Sequence, residues 1–360
     1  MAAHPMRRLA MRPTARRCQR GVAIITALLL TTLAVTIVAS LFWQQQVQVR
    51  SMENQRLQLQ TRWILRGALD WTRLILSQDA RDNQLRTTLD GVWATPLAET
   101  RLDQYIERER VENEKFDATL SGQITDAQSR YNLANLAKGR QIDPKQKAIF
   151  EKLLTNLQLD AALAQRVAQQ VADGQALAPQ LQQSGGQQPG GQTGGQQPGG
   201  VAGGQGGQQQ QQQPVATSGS AGEPIEVMRV EDLLAVSGFT PQAVERLRDF
   251  VIVLPAAAAL NVNTAPPELL SAAVDGLSLS EATTIAANRK RTSYLSMAEF
   301  TSLLNGRAPF DASQLAIRSN YFLVLSRVKL DRATLNSQAL LQRGDQGNNY
   351  RTVVVWIRDN

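Results

Sequence analysis

Apolar and polar positions recur with several different periods along this chain, and each change of period marks a new element. No charged residue occurs between Gly21 and Val49, and residues 22–43 are apolar apart from Thr and Ser hydroxyls, which can bond back within a helix. As a helix these residues rise about 33 Å, enough to cross a hydrocarbon core of about 30 Å. Residues 44–78 contain no Pro and one Gly, and Met52, Leu59, Trp63, Leu69 and Leu74 fall at or near helical spacing. That pattern predicts one long helix whose second half, "RWILRGALDWTRLIL", packs on a folded head.

Further on, Phe116, Ala118 and Leu120 alternate and predict a strand over 116–121. Residues 145–172 read as amphipathic helices begun by Pro144. From 182 to 222 the chain reduces to Gln, Gly, Pro and Ser, with a near repeat of "GGQQPGGQT" and six consecutive Gln. Such a composition cannot build a core and predicts a disordered loop inside a folded domain. An internal repeat follows: "VEDLLAVSGFTPQAVERL" (230–247) and "PPELLSAAVDGLSLSEATTI", ending at Ile285, share Leu-Leu, a Gly-apolar-Thr/Ser turn and a second helix. Between them, "LNVNTAPPELL" (260–270) offers Asn and Thr as caps for the helix that Pro266 and Pro267 open. This pair looks like two helix-hairpin-helix, or SAM-like, units. The end returns to strands, "NYFLVLSRVKL" (320–330) and "YRTVVVWIRDN" (350–360), joined by a polar connector and expected to pair antiparallel with 116–121 over the long helix.

The fold expected is therefore α+β: a long N-terminal helix on a small antiparallel sheet, with a large all-helical insertion. The segments are a leader (1–21), an apolar helix (22–43), the helix continuation and first strands (44–125), the insertion (126–315) and the last strands (316–360).

Charge changes this picture little once it is located. The net +7 comes mostly from residues 1–21, which hold six Arg and no acid; the other 32 basic residues face 31 acidic ones. The repeat region 223–307 carries seven basic and ten acidic residues, no footprint for a phosphate backbone. Its triplet Arg289-Lys290-Arg291 reads as a solvated helix end, and Thr240 and Ser278 stand where DNA-binding hairpins commonly have a second Gly. The single Cys (Cys18) and single His (His4) also lie in the leader. Without them, thiolate or imidazole catalysis and most zinc or iron sites are excluded, leaving oxygen ligation of Ca²⁺ or Mg²⁺.

Gly21 separates the last leader arginine from the first apolar residue. An ordinary signal would be cut nearer Val38-Ala39-Ser40; cleavage after Gly21 would instead leave the apolar helix attached, with Val22 first. That order resembles type IV prepilin leaders, and most of those relatives carry Glu at the fifth mature position, which here is Thr26. "GQITDAQSRYNL" resembles the signature of K-type minor pseudopilins of type II secretion at Gly122, Ile124, Asp126, Gln128, Arg130, Tyr131, Asn132 and Leu133; the K type is also known for lacking the Glu. Asp126 and Arg130 read as a buried ion pair and turn rather than as catalytic groups.

The resemblance implies a non-enzymatic subunit at the tip of a pseudopilus, initiating its assembly for export across the outer membrane. It also implies cleavage after Gly21 and N-methylation of Val22 by a prepilin peptidase, and partners of the I, J and H types. The chain would cross the inner membrane once, N-terminus in the cytoplasm and head in the periplasm, without nucleic acid. Calcium is implied too, with Asp331, Asp345 and Asn348 as candidate ligands. Two other readings stay open: a membrane-anchored DNA receptor and a tip subunit of a type IV pilus.

Overall fold

The computed structural model describes residues 20–102, 117–175, 226–345, 347 and 349–359, with side chains from Ala23. The strand candidate's first residue, Phe116, and the Gln/Gly-rich stretch 182–222 lie outside the described residues.

Helix α1 runs unbroken over Arg20–Asp82, 63 residues, a rod of about 95 Å. Side chains from Ala23 to Leu59 are exposed apart from a half-buried Leu57. Above them Thr61, Leu65, Leu69, Thr72, Leu76 and Ala80 are buried, at steps of three and four that define one face. The two threonines satisfy their hydroxyls inside the helix, Thr61 on the Leu57 carbonyl at 2.7 Å and Thr72 on Ala68 at 2.9 Å.

That face lies on a five-stranded antiparallel sheet, β1 (Leu97–Arg101), β2 (Ala118–Asp126), β3 (Tyr321–Leu330), β4 (Ala333–Gln342) and β5 (Val353–Asp359), arranged in that spatial order. β2 pairs with β3 from Ala118↔Leu330 to Asp126↔Phe322, and β3 with β4 across a tight turn at Asp331, φ 51°. The expected polar connector is therefore wrong: much of it is β4. The expected strand over 116–121 also extends to Asp126. Leu65, Leu69, Leu76 and Trp93 form one core with Leu120, Phe322, Val324, Val328 and Leu341; Trp93 meets Phe322 edge-on at 5.1 Å.

All of residues 127–320 intervene between two neighbouring strands. They form α2 (Pro144–Asn156), α3 (Leu163–Gln175), α4 (Pro241–Leu247), α5 (Pro267–Ala273), α6 (Leu279–Arg289) and α7 (Met297–Ser302), with 3-10 turns and two-residue strand pairs. Their core is separate, built on Phe150, Leu153, Val167, Leu247, Leu270 and Phe300. A smaller cluster, in which Ile252 and Leu254 of the insertion pack on Tyr321, Leu323 and Leu340, covers the second face of β3 at its start: Tyr321, Phe322, Leu323 and Val324 are all buried, whereas the far half alternates, as a strand covered on both faces and then on one should.

The two repeat copies share their turn. Gly238 (φ 95°) and Gly276 (φ 67°) occupy the left-handed region, where Gly is unstrained. Thr240 caps α4 by accepting from Ala243 N at 3.2 Å, and Ser278 caps α6 by accepting from Glu281 N at 3.3 Å. They differ before the turn, since the first copy has a 3-10 helix at Val230–Ala235 where the second has α5.

The orientation of this insertion follows from two arginines on β4's ends. Arg332, at the β3–β4 turn, donates to Asn54 on α1 at 2.9 Å, while Arg343, just past the other end of β4, pairs with Asp79. β4 thus runs along α1 away from the apolar segment. Asp126 and Tyr321, where the insertion leaves and rejoins the sheet, lie at that distal end.

Candidate functional site

At the junction of helix, sheet and insertion sits a buried polar cluster centred on Asp126, the last residue of β2. One carboxylate oxygen accepts from Gln128 N at 2.8 Å; the other accepts from Asn261 Nδ2 at 3.0 Å, Thr264 Oγ1 at 2.6 Å and Ser319 Oγ at 2.6 Å. Asn261 also donates to the Thr87 carbonyl at 3.1 Å. Arg343, fully buried, pairs with Asp79 and donates to Thr87 Oγ1 at 2.6 Å and Ser319 O at 2.7 Å. Burial pushes the Asp126 carboxyl above its usual range, against the pull of its four donors. Burial likewise raises Asp79 and lowers Arg343.

The other motif residues continue this work along one extended segment, residues 254–260, whose side chains offer no hydrogen bonds of their own. Gln128 donates to Ala259 O at 2.7 Å and accepts from Asn320 N at 2.6 Å. Asn132 accepts from Leu254 N at 3.0 Å and donates to Ala256 O at 2.9 Å. Asn135 donates to Ala258 O at 2.9 Å. Three amide side chains, each both donor and acceptor, thereby pin the backbone of this segment to the motif. Tyr131 stacks on Phe150 at 5.6 Å and donates to Gln146 O at 3.0 Å. Ile124 packs against the helix-on-sheet core. Gly122 has a steric reason: a Cβ there would lie 2.6 Å from the Leu325 carbonyl oxygen.

Two local expectations are corrected here. Asp126 does not pair with Arg130, whose guanidinium lies 3.8 Å from the exposed Asp249; the turn itself holds, with Asp126 capping the 3-10 helix Ala127–Ser129. Asn261 and Thr264 do not cap α5, whose N-cap is Pro266 without a side-chain bond. They are drawn instead to Asp126.

Asp79, Thr87, Ser319 and Arg343 join this cluster without a motif to announce them. Asp79 carried a signal, since a charge falls on the same face of α1 as Leu65, Leu69 and Leu76. The cluster fixes three elements, helix, sheet and insertion, to one another.

The remaining candidates lie apart. Gly21 and Val22 belong to the first turns of α1, and Thr26 donates back to Ala23 O at 3.0 Å, offering no charge. Asp331 and Asp345 fall at opposite ends of β4, and Asn348 is outside the described residues. Among the described residues there is no group of three or more His, Cys, Asp or Glu that could hold a metal ion, and Asp331 and Asp345, at opposite ends of β4, do not share one ion. Arg289, from the basic triplet, donates inward to Val262 O at 2.7 Å, and burial lowers its pKa to about 10.

Comparison with known proteins adds the following. Residues 129–256 and 260–318 match two family models, both described as type II secretion system (T2SS), protein K. Type II secretion system protein K of Pseudomonas aeruginosa is 29% identical over 343 residues, covering 92% of this chain and 91% of that one. The protein of the same description from Pectobacterium carotovorum subsp. carotovorum is 23% identical over 342 residues, covering 91% and 94%. Among solved structures, a chain of the GspK-GspI-GspJ complex from the enterotoxigenic Escherichia coli type 2 secretion system aligns with TM-score 0.53 at 15% identity, covering 86% of this chain and 99% of that chain. The last likeness establishes the fold.

Proposed function

The chain belongs to the type II secretion system protein K family, and from that premise we propose that this minor pseudopilin caps the pseudopilus and starts its assembly. The observation that carries the proposal is the placement of the insertion at the end of α1 farthest from the apolar segment, fixed by the Arg332–Asn54 and Arg343–Asp79 contacts. Bulk at that end obstructs a further subunit above while leaving the helix free for neighbours beside and below.

A prepilin peptidase would cut after Gly21 and methylate Val22. In the bilayer the helix beginning there is a single span, long and apolar enough to cross, with its arginine-rich end in the cytoplasm by the positive-inside rule and the head in the periplasm. During assembly it would pass from lipid to the helices of I- and J-type partners, with the H type below. Thr26 brings no carboxylate to answer a neighbour's N-terminal amine, which suits a terminal subunit.

The role is structural, not catalytic. The two repeat units serve as helix-hairpin-helix-like packing modules; the excess of acids over bases across 223–307 and the inward bond of Arg289 disfavour a DNA receptor.

The test is mass spectrometry of the mature N-terminus after coexpression with a prepilin peptidase. The expected product begins at N-methylated Val22; a terminus at residue 41 overturns the proposal.

A further inference from the structure

The geometry points to an anion site at the joint between insertion and head: the inner edge of the Arg318 guanidinium, beside Arg343, takes a small oxyanion that presents two oxygens, of the carboxylate, sulfate or phosphate class.

Arg318 lies in the last stretch of the insertion before β3. Its neighbours are pinned across the joint. The Ile317 carbonyl accepts from Thr87 N at 2.8 Å, Ser319 N donates to Thr87 Oγ1 at 3.1 Å, and Ser319 Oγ donates to Asp126 at 2.6 Å. The side chain between them has no such partner. Among the described residues, four buried side-chain nitrogen or oxygen atoms lack a hydrogen bond, and three of them are Arg318 Nε, Arg318 Nη2 and Arg343 Nε. A buried donor without an acceptor costs its full desolvation, so three in one place, on two cations, call for an anionic partner.

The nearby acids are already engaged. Asp126 accepts from Gln128 N, Asn261, Thr264 and Ser319, and Asp79 accepts from Asn83 and Arg343. Among the described residues no carboxylate pairs with Arg318. Arg343 commits both terminal nitrogens to Asp79, Thr87 and Ser319 and lays its guanidinium 4.9 Å over the Phe322 ring. Its pKa is lowered by burial first and also by the charge of Arg318, so the two like charges act on each other.

Which atoms are free sets the class of ligand. Nε and Nη2 project side by side from one edge of a guanidinium, two parallel N–H donors that match two oxygens of one carboxylate, sulfate or phosphate. A spherical chloride matches that pair less well. Arg318 as a whole is half-buried, so its side chain joins the fork to solvent and a small swing admits the ion. With the pair neutralised, the insertion is held more tightly to the head, because the residues on either side of Arg318 are the ones bonded to Thr87.

The test is thermal melting and amide exchange of the full-length chain in detergent, in sodium sulfate and in sodium chloride of matched ionic strength. Sulfate should raise the melting temperature saturably by about 3 °C and slow amide exchange at Thr87 and Ser319 about fivefold. Sulfate also favours compact states in general, so the variants decide. Arg318→Met should keep or raise the melting temperature in chloride, since it removes the orphaned donors, and should lose the saturable sulfate rise. Arg318→Lys keeps the charge without the two-pronged edge and should lose most of the rise as well. Arg327→Met, at an exposed position of β3, should respond as the unsubstituted chain does. No saturable rise in the unsubstituted chain, or an equal rise in either Arg318 variant, overturns the site.

Discussion

The Asp126 carboxylate and the Asn261 side-chain amide lie 3.0 Å apart although 135 positions separate them in the chain. One ends a strand of the head and the other belongs to the insertion, so this bond and its neighbours set how the insertion sits on the head. Replacing Asp126 with Ala leaves two hydroxyls, an amide and a backbone N–H without their acceptor, beside a buried Arg343. The expected loss of stability is about 3 kcal/mol, read as a lower urea midpoint with an unchanged slope. Asp126→Asn keeps shape and one acceptor and should cost about half as much.

The same carboxyl predicts a pH dependence. Its folded pKa is raised by burial, so its contribution is complete below the ordinary carboxylate range and declines as pH rises through the folded value. The stability of the native chain minus that of Asp126→Asn should therefore be largest in acid and shrink towards neutrality. Parallel urea curves across that interval measure it; a difference that grows with pH contradicts the sign.

Gly122→Ala tests the close approach of two strands. The new methyl would meet the Leu325 carbonyl oxygen at 2.6 Å, and backbone cannot yield as a flexible side chain does. β2 and β3 must part, at a cost of about 2 kcal/mol, seen as a lower melting temperature and faster amide exchange in both strands.

How legible these features were depended on whether they were local. The apolar run of α1 and the Phe322–Leu325 stretch of β3 declared themselves by period alone. β4 did not: its inward positions are Leu335, Ser337, Ala339 and Leu341, and the serine broke the alternation while Thr334, Asn336 and Gln338 made the stretch look like a connector. The Asp126 motif was recognisable by resemblance, yet its partners were not, because spacing carries no information about a residue brought in from 135 positions away. Asn261 and Thr264 stood before a helix and looked like caps; Pro266 took the cap position, and a buried carboxylate offered both side chains a stronger acceptor.

The ends of the Gln/Gly-rich connection predict that it can be shortened. A Cβ on Gly174 would lie 2.9 Å from Glu226 Cα, so the chain leaves and re-enters at nearly one point. Gln175 holds its end by donating to Ala137 O at 2.9 Å. Closing a loop over so small a gap costs entropy that grows only with the logarithm of its length. Replacing residues 182–222 with a short Gly-Ser link should therefore raise stability by about 1 kcal/mol or leave it unchanged. Thermal melting measures that effect, and recovery of partner pseudopilins shows whether the stretch also binds them. A shortened chain that melts normally but loses its partners would assign the stretch a binding role; one that fails to fold would show that the two ends are held together from within it.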